Sequence, residues 1–207
     1  MRVRINFEKT EAMRFTGHLD LQHAWMRVFR RAGIALEHSQ GFHPLPKIQL
    51  ASALPLGYIS TAEILDAWLI ESQPIIDLVK ILNDNLPPGL EINSIEQIPL
   101  DAPKIQVALK TADYLVHLSS QTSLQNLPVK VAAFLAEAEI LIERRGKRRD
   151  IRNLVELLEM KNSSDGQQAI YMRLSARESA TGRPDEILIW MGIDPFETLI
   201  ERTTLNI

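Results

Sequence analysis

The chain has 207 residues, a formal net charge of −3 and no cysteine. The absence of cysteine excludes disulfides, thiolate zinc sites, cysteine nucleophiles and cysteine-ligated iron–sulfur clusters. The small negative net charge gives no overall attraction to nucleic acid, so any polyanion site requires a local cluster of basic residues.

Neither a membrane span nor a secretion signal is apparent in the sequence. No apolar run approaches the ~20 residues that a membrane helix requires. The N-terminal stretch MRVRINFEKT lacks the apolar core of a signal peptide. We therefore expect a cytoplasmic protein with no membrane partner.

The first half of the chain predicts strands and helices in a definite order. Val3, Ile5 and Phe7 alternate with polar residues, which is typical of a strand with one buried face. A helix should follow, with Thr16 as its cap and Gly33 as its left-handed end. Further along, the pattern predicts strands over 47–51 and 63–70, a helix that opens at 72–74, and a strand over 92–98.

The second half predicts a similar order after a boundary at Asp101–Pro103. The predicted elements are a strand over 114–118, a helix over 128–138, and strands over 140–145 and 169–174, then a helix over 184–191 and a strand over 196–205. Between these, Ile151, Leu154, Val155 and Leu158 fit a short inserted helix, and a strand is the alternative for so short a segment.

Both halves therefore read as β-α-β-β-α-β, the order of a ferredoxin-like unit. The predicted fold class is α+β, with two tandem ferredoxin-like halves and antiparallel sheets. The predicted domains are residues 1–102, which carry a segment rich in histidine and arginine, and residues 103–207, which carry a basic turn.

Residues 17–57 hold four of the five histidines, which raises the question of a metal site. His18 and His23 are five residues apart, a poor match to two ligands on one helix face. His38 and His43 flank a turn with Glu37 nearby, so histidine ligation stays an open alternative. The other interpretation is that these histidines fix the loop through hydrogen bonds. We predict no metal and no cofactor in this chain.

The same segment also suggests anion recognition. Basic residues flank a loop in which Pro44 and Pro46 restrict the backbone, and a helix begins nearby. Phe42 supplies a flat ring on which a base can stack. The predicted binding residues are Arg14, His18, Asp20, Arg27, Arg31, His38, Ser39, Gln40, Gly41, Phe42, His43 and Lys47. The alternative is that the arginines are only solvated surface.

A second basic cluster surrounds Gly146, where six cations within nine residues oppose only Asp150. On an exposed turn this density suits phosphate contact, and binding through it should weaken steeply with salt. The alternative is a solvated turn that protects a sheet edge from aggregation. The predicted nucleic-acid contacts are Arg144, Arg145, Lys147, Arg148, Arg149 and Arg152.

Several segments resemble a known family. They are FTGHLDL at 15–21, RRAGI at 30–34, SQGFHPLPKI at 39–48 and LPLG at 54–57, with Asp150–Arg152, Arg183–Pro184 and Arg202–Thr203. Together these are similar to the radical-SAM-linked domain family of unknown function, found fused to radical SAM proteins or encoded beside them. The family pattern has Ser where this chain has Gly17, and Asn where it has His43.

The resemblance implies a radical SAM protein as a partner and a neighbourhood of RNA-processing genes. Because this chain has no cysteine, S-adenosylmethionine and the iron–sulfur cluster are implied only for that partner. The predicted function is a non-catalytic accessory or substrate-binding partner in the modification of tRNA or rRNA. Two alternatives stay open: a stand-alone RNA-modifying enzyme that uses Asp20 and His18 as acid–base groups, and a pure protein-docking module.

Overall fold

The computed structural model describes residues 1–118, 126–144, 146–162 and 168–207. The chain is a mixed α+β protein with mostly antiparallel strand pairing. It divides into two compact units, Met1–Ala108 and Leu109–Ile207.

The division between the units falls beyond residue 102 because the next few residues pack on the first unit. The Arg2 guanidinium donates hydrogen bonds to the carbonyls of Ala102 (2.5 Å) and Pro103 (3.0 Å). The Gln106 amide donates to the carbonyl of Leu50 at 2.8 Å, and Ile105 is fully buried. These contacts are long-range in sequence, so no local composition change marks them.

The elements of the first unit are β1 (Arg2–Lys9), α1 (His18–Arg31), β2 (Ile48–Leu50), β3 (Tyr58–Trp68), α2 (Ile75–Asn83), β4 (Leu90–Ile98) and the short α3 (Ile105–Ala108). Its strands pair antiparallel in the order β4-β1-β3-β2.

The core of the first unit lies between the sheet and its two long helices. Val3, Ile5 and Phe7, the alternating residues of β1, are fully buried. Trp25 of α1 packs its ring edge-on against Phe7, with ring centroids 4.9 Å apart. Aromatic pairs of this geometry stabilise a core beyond the area they bury. The packing fixes the rotation of α1 about its axis, and therefore which residues of α1 face outward.

The elements of the second unit are β5 (Thr111–Leu118), α4 (Leu127–Ala136), β6 (Leu141–Arg144), β7 (Lys147–Asp150), β8 (Val155–Asn162), β9 (Gln168–Arg177), β10 (Ala180–Thr181), α5 (Pro184–Trp190) and β11 (Thr198–Asn206). Its strands pair in the order β11-β5-β9-β8, and β10 also pairs with β9. The strands β6 and β7 form a separate two-stranded hairpin.

The predicted helix over residues 151–158 is wrong, and the alternative strand is what forms. A single 3-10 turn at Arg152–Leu154 leads into β8. Val155 pairs with Leu174 and Leu158 pairs with Met172, and the register shifts between Val155 and Leu157. Because of this irregularity, Val155 and Leu158 face the same buried side of the sheet although they are three residues apart in sequence. A spacing of three is also typical of one face of a helix.

A polar network on the second unit centres on Asp113 of β5. Its carboxylate accepts two hydrogen bonds of 2.8 Å from Arg173, one of 2.6 Å from the Tyr171 hydroxyl and one of 3.2 Å from Asn206. Burial raises the pKa of Asp113. The hydrogen bonds and positive charge of Arg173, together with the hydrogen bonds from Tyr171 and Asn206, outweigh this effect of burial and hold the pKa below its usual range.

Asp113→Asn should lower the free energy of unfolding by about 1–3 kcal/mol at neutral pH, because Arg173 and Tyr171 lose their charged acceptor. A lowered folded-state pKa stabilises the fold above the unfolded pKa of about 3.9, and that contribution is lost as pH falls through the folded value. Urea unfolding at several pH values should therefore give wild-type and variant curves that converge in acid. A gap that stays constant down to strongly acidic pH would contradict this.

In the part of the chain that the structure describes, no helix has the length and apolar composition that crossing a membrane requires.

Candidate functional site

Helix α1 positions most of the predicted binding residues. Its N-terminal cap is Gly17, with no side-chain hydrogen bond at the cap, so the predicted cap at Thr16 is wrong. Its C-terminal end is as predicted: Gly33 has φ +68°, and the Ile34 amide donates to the carbonyl of Phe29 at 3.0 Å. This left-handed ending turns the chain sharply into the loop that follows.

The outward face of α1 is basic. His23, Arg27, Arg30 and Arg31 are all exposed, while Leu21, Trp25, Val28 and Phe29 are buried. The exposed residues recur at helical spacing and therefore form one stripe. Within the described residues, the structure gives the three arginines of this stripe no ion pair or hydrogen-bond partner. Their charge is available to a ligand.

The loop after α1 is closed at its base. His38 and Pro46 form an antiparallel bridge, and the Ser39 amide donates to the carbonyl of Leu45 at 2.8 Å. The Leu45 amide in turn donates to the Ser39 hydroxyl at 3.1 Å. Ser39 therefore stabilises the neck of the loop, a structural use of a residue that the sequence suggests for binding.

The tip of the loop projects into solvent. Phe42 is fully exposed and Leu45 is 58% exposed. Gly41 has φ +145°, a backbone conformation that side chains disfavour. Gln40 and His43 are exposed as well, and among the described residues the structure gives the side chains of Gln40, Phe42 and His43 no hydrogen bond, ion pair or ring contact. A fully exposed aromatic ring on a closed loop is a suitable surface for stacking.

A groove of about 370 Å³ joins the basic face of α1 to the base of this loop. The groove brings together Arg27 and His38, which are both predicted binding residues. It also includes Arg30, which lies on the same face of α1 as Arg27. The groove is lined by Met26, Arg27, Phe29, Arg30, Ile34, Leu36, His38 and Pro46. Its apolar residues are missed by sequence reasoning because they resemble ordinary core.

Three predicted residues lie at the opposite end of α1. His18 and Asp20 are in its first turn, about 20 Å and about 16 Å respectively from Arg31 along the helix axis at a rise of ~1.5 Å per residue. Arg14 precedes the helix, where its guanidinium donates to the Gly57 carbonyl at 2.8 Å and pairs with Glu11 at 3.2 Å. The structure thus separates Arg14, His18 and Asp20 from the groove.

Lys47 is held by the protein itself. Its ammonium group lies 3.1 Å from a carboxylate oxygen of Glu37 and 4.7 Å from the centre of the Trp68 ring. The Lys47 amide donates to the Glu37 carbonyl at 2.6 Å. Lys47 therefore anchors the base of the loop against β3 and offers less charge to a ligand than the arginines of α1.

Half of the second basic cluster is also held within the protein. Arg144 and Arg149 of the β6–β7 hairpin both bind the carboxylate of Glu186 on α5, Arg144 at 3.2 Å. Arg152 donates to the carbonyls of Leu135 (3.3 Å) and Val155 (3.4 Å). These contacts hold Arg144, Arg149 and Arg152 within the second unit.

Two cations of the hairpin remain exposed. Lys147 and Arg148 follow the turn at Gly146, and the structure gives neither side chain a partner among the described residues. Arg145, also a predicted contact, lies outside the described residues. Lys147 and Arg148 are therefore the described cations of this cluster that are available for an outside contact.

Among the described residues, no group of three or more His, Asp or Glu side chains could hold a metal ion. His38 and His43, the pair with Glu37 nearby, are exposed at the base and tip of the loop.

A family model described as "Uncharacterized protein conserved in bacteria (DUF2344)" matches residues 2–184. The chain belongs to this family. The predicted membership in a family of unknown function is confirmed, and the match says nothing of radical SAM proteins.

Two further comparisons add little. A comparison with curated proteins gave no match. A chain in a solved structure titled "Crystal Structure of a Cbf5-Nop10-Gar1 Complex" is similar, with a TM-score of 0.49 and 13% identity over 98% of this chain. The chain spans about half of that chain, 48% of its length. At this level of similarity, no functional argument follows.

Proposed function

We propose that this member of the family is a non-catalytic RNA-binding protein that serves a radical SAM enzyme as an accessory or substrate-binding partner in the modification of tRNA or rRNA. The RNA binds along the basic face of α1 and the loop 38–46, and Lys147 and Arg148 of the β6–β7 hairpin make a second contact.

The observation that carries the RNA-binding part is the stripe of exposed, unpaired arginines beside the groove. Arg27, Arg30 and Arg31 have no carboxylate partner among the described residues, although the chain as a whole is acidic. Guanidinium groups left unpaired at such density suit phosphate, which they bind through two parallel hydrogen bonds. The exposed Phe42 ring supports a single-stranded ligand, because unpaired bases stack on aromatic side chains.

The radical SAM partner rests on the sequence resemblance alone. The segments that carry the resemblance include residues 30–34 and 39–48, which line the groove and form the loop.

We also propose that each unit is ferredoxin-like. The element order and the antiparallel strand orders β4-β1-β3-β2 and β11-β5-β9-β8 support this assignment. The β6–β7 hairpin would then be an insertion between α4 and β8.

Filter binding of a tRNA transcript by the purified chain tests the proposed function, in combination with mass spectrometry of the digested nucleosides. We expect retention of the RNA at low salt, no modified nucleoside with the chain alone, and modification only when a radical SAM enzyme encoded beside it is added. Absence of RNA retention at low salt would overturn the proposal. A modified nucleoside produced by the chain alone, lost in Asp20→Asn, would favour the stand-alone enzyme.

Lys147→Glu combined with Arg148→Glu should weaken RNA binding about fivefold at about 0.1 M salt, the effect expected when one of the two cations contacts a phosphate. Fluorescence anisotropy with labelled single-stranded RNA measures this. The matched control is Lys110→Glu with Arg177→Glu, which reverses two exposed charges elsewhere in the same unit. Equal affinities of the two variants would remove the hairpin from the binding surface. Arg149 is unsuitable for this test because it binds Glu186.

A protein-docking role is favoured by a separate observation at the other end of α1. Phe15, Leu19 and Leu56 are 75%, 67% and 63% exposed. The Gly57 amide donates to the Arg14 carbonyl at 3.0 Å, which brings the two loops that carry Phe15 and Leu56 together. Exposed apolar clusters of this kind mark protein contacts. Co-purification with the radical SAM protein, lost in Leu19→Lys while RNA is still retained, would assign this end to docking.

A further inference from the structure

The groove beside α1 has two chemically different parts. Its floor is apolar, formed by Met26, Phe29, Ile34 and Leu36, of which Phe29 is 1% and Leu36 6% exposed. Its rim carries the cationic side chains of Arg27 and Arg30, together with the imidazole of His38. A site that bound phosphate alone would not need an apolar floor, because inorganic phosphate gains nothing from apolar contact.

The dimensions restrict the ligand further. A volume of about 370 Å³ lies at the small end of small-molecule sites, which range from ~300 to ~1,000 Å³. One planar ring system with an attached sugar phosphate fits within a volume of this size. The groove therefore matches one nucleotide that has left the stack.

The loop continues from the same rim. His38 and Pro46, which bridge at the neck of the loop, both line the groove. The loop thus extends the surface from the groove to Phe42. A strand that leaves one base in the groove could place a neighbouring base on the Phe42 ring.

We propose that the groove takes a single unstacked nucleotide of the bound RNA, with its base against Met26 and Ile34 and the phosphates on its two sides at Arg27 and Arg30. This inference rests on the proposed function and names the ligand of the same site. Unpaired bases are recognised in this way, by apolar contact with the ring and hydrogen bonds around it.

The methyl group of Met26 is a suitable reporter, since Met26 is one of the residues that line the groove. With methyl-labelled methionine, NMR spectra are recorded as adenosine 5′-monophosphate or uridine 5′-monophosphate is added to the full chain. We expect the Met26 signal to shift with a Kd of about 1 mM. Inorganic phosphate should shift it less, and Arg27→Ala with Arg30→Ala should weaken the nucleotide about tenfold.

Filling the groove without changing its charge separates base recognition from phosphate contact. Ile34→Trp is the first such variant, and Met26→Trp serves if the first does not fold. The filled groove should lose the free nucleotide and weaken single-stranded RNA about tenfold, with the salt dependence of RNA binding unchanged.

Three results overturn the inference. If nucleotides at about 10 mM leave the Met26 signal in place while RNA still binds, the groove does not take a base, although the proposed function stands. If the filled variants bind RNA as tightly as the wild type, the conclusion is the same. If nucleotides bind but RNA does not, the proposed function fails as well, because the ligand is then a free nucleotide.

Discussion

Reversing both cations at the rim of the groove, through Arg27→Glu and Arg30→Glu, is expected to weaken single-stranded RNA binding about 25-fold or more at about 0.1 M salt. Each phosphate contact contributes ~0.7 to the slope of log affinity against log salt for single strands, so two lost contacts correspond to ~1.4 decades at this concentration. Fluorescence anisotropy at constant salt measures the change. The fold should be intact, because both side chains are exposed and unpaired in the described structure.

The matched control reverses two exposed lysines of the same unit that lie outside the groove, Lys80→Glu on α2 and Lys104→Glu before α3. Both double variants have the same net charge, so they differ only in where the charge changes. The control should weaken RNA binding by no more than a few-fold. If it weakens binding as strongly as the groove variant, the attraction is a general charge effect and the groove is not the site.

Asp66→Asn is expected to destabilise the first unit by about 3–5 kcal/mol, the usual cost of leaving a buried charge unpaired. Asp66 is fully buried on β3 and accepts hydrogen bonds from Arg2 at 2.7 Å and from Arg4 at 2.8 and 3.0 Å. Arg2 is itself only 2% exposed, so removing the carboxylate charge leaves its guanidinium uncompensated away from water. The hydrogen bond to Asp66 also raises the pKa of Arg4.

Urea unfolding of the full chain, followed by tryptophan fluorescence, measures the effect. Trp68 lies against the Arg2 guanidinium, 4.7 Å from its ring centre, so its emission reports on this region. Glu71→Gln, an exposed acid just beyond β3, is the control and should change the free energy of unfolding by less than about 0.5 kcal/mol. A loss below about 1 kcal/mol for Asp66→Asn would mean that water or another group replaces the carboxylate.

The sequence predicts the elements that local spacing defines. The apolar stripe of α1 and its end at Gly33 follow from helical periodicity and from the backbone freedom of glycine, and both agree with the structure. The basic face follows from the same periodicity, because the burial of Trp25 and Phe29 leaves Arg27, Arg30 and Arg31 outside. The local sequence pattern therefore predicts one side of the candidate site, the basic face of α1.

Sequence spacing fails where a strand is irregular. Val155 and Leu158 are three residues apart, which favours a helix, yet both face the core of a sheet because the register shifts between them. An extra residue in one strand changes the side-chain period locally from two to three. Pairing with β9 makes this segment a strand. The spacing of residues within the segment does not show which strand it will pair with.

Charge density also misleads where the partners are distant in sequence. Arg144 and Arg149 look like free cations of a turn, but Glu186 binds both from α5. In the same way, Glu37 and Trp68 hold Lys47 at the base of the loop. The groove itself needs residues from the helix, the turn and the loop, so its apolar floor emerges only when they are brought together.

The salt dependence of RNA binding tests the central claim most directly. The affinity of single-stranded RNA is measured over a range of potassium chloride concentrations for the wild type and for Arg27→Ala with Arg30→Ala. If both arginines bind phosphate, the variant's slope of log affinity against log salt is shallower by ~1.4. Parallel lines with the wild-type slope would show that neither arginine contacts the RNA backbone, and the proposed binding surface would be wrong.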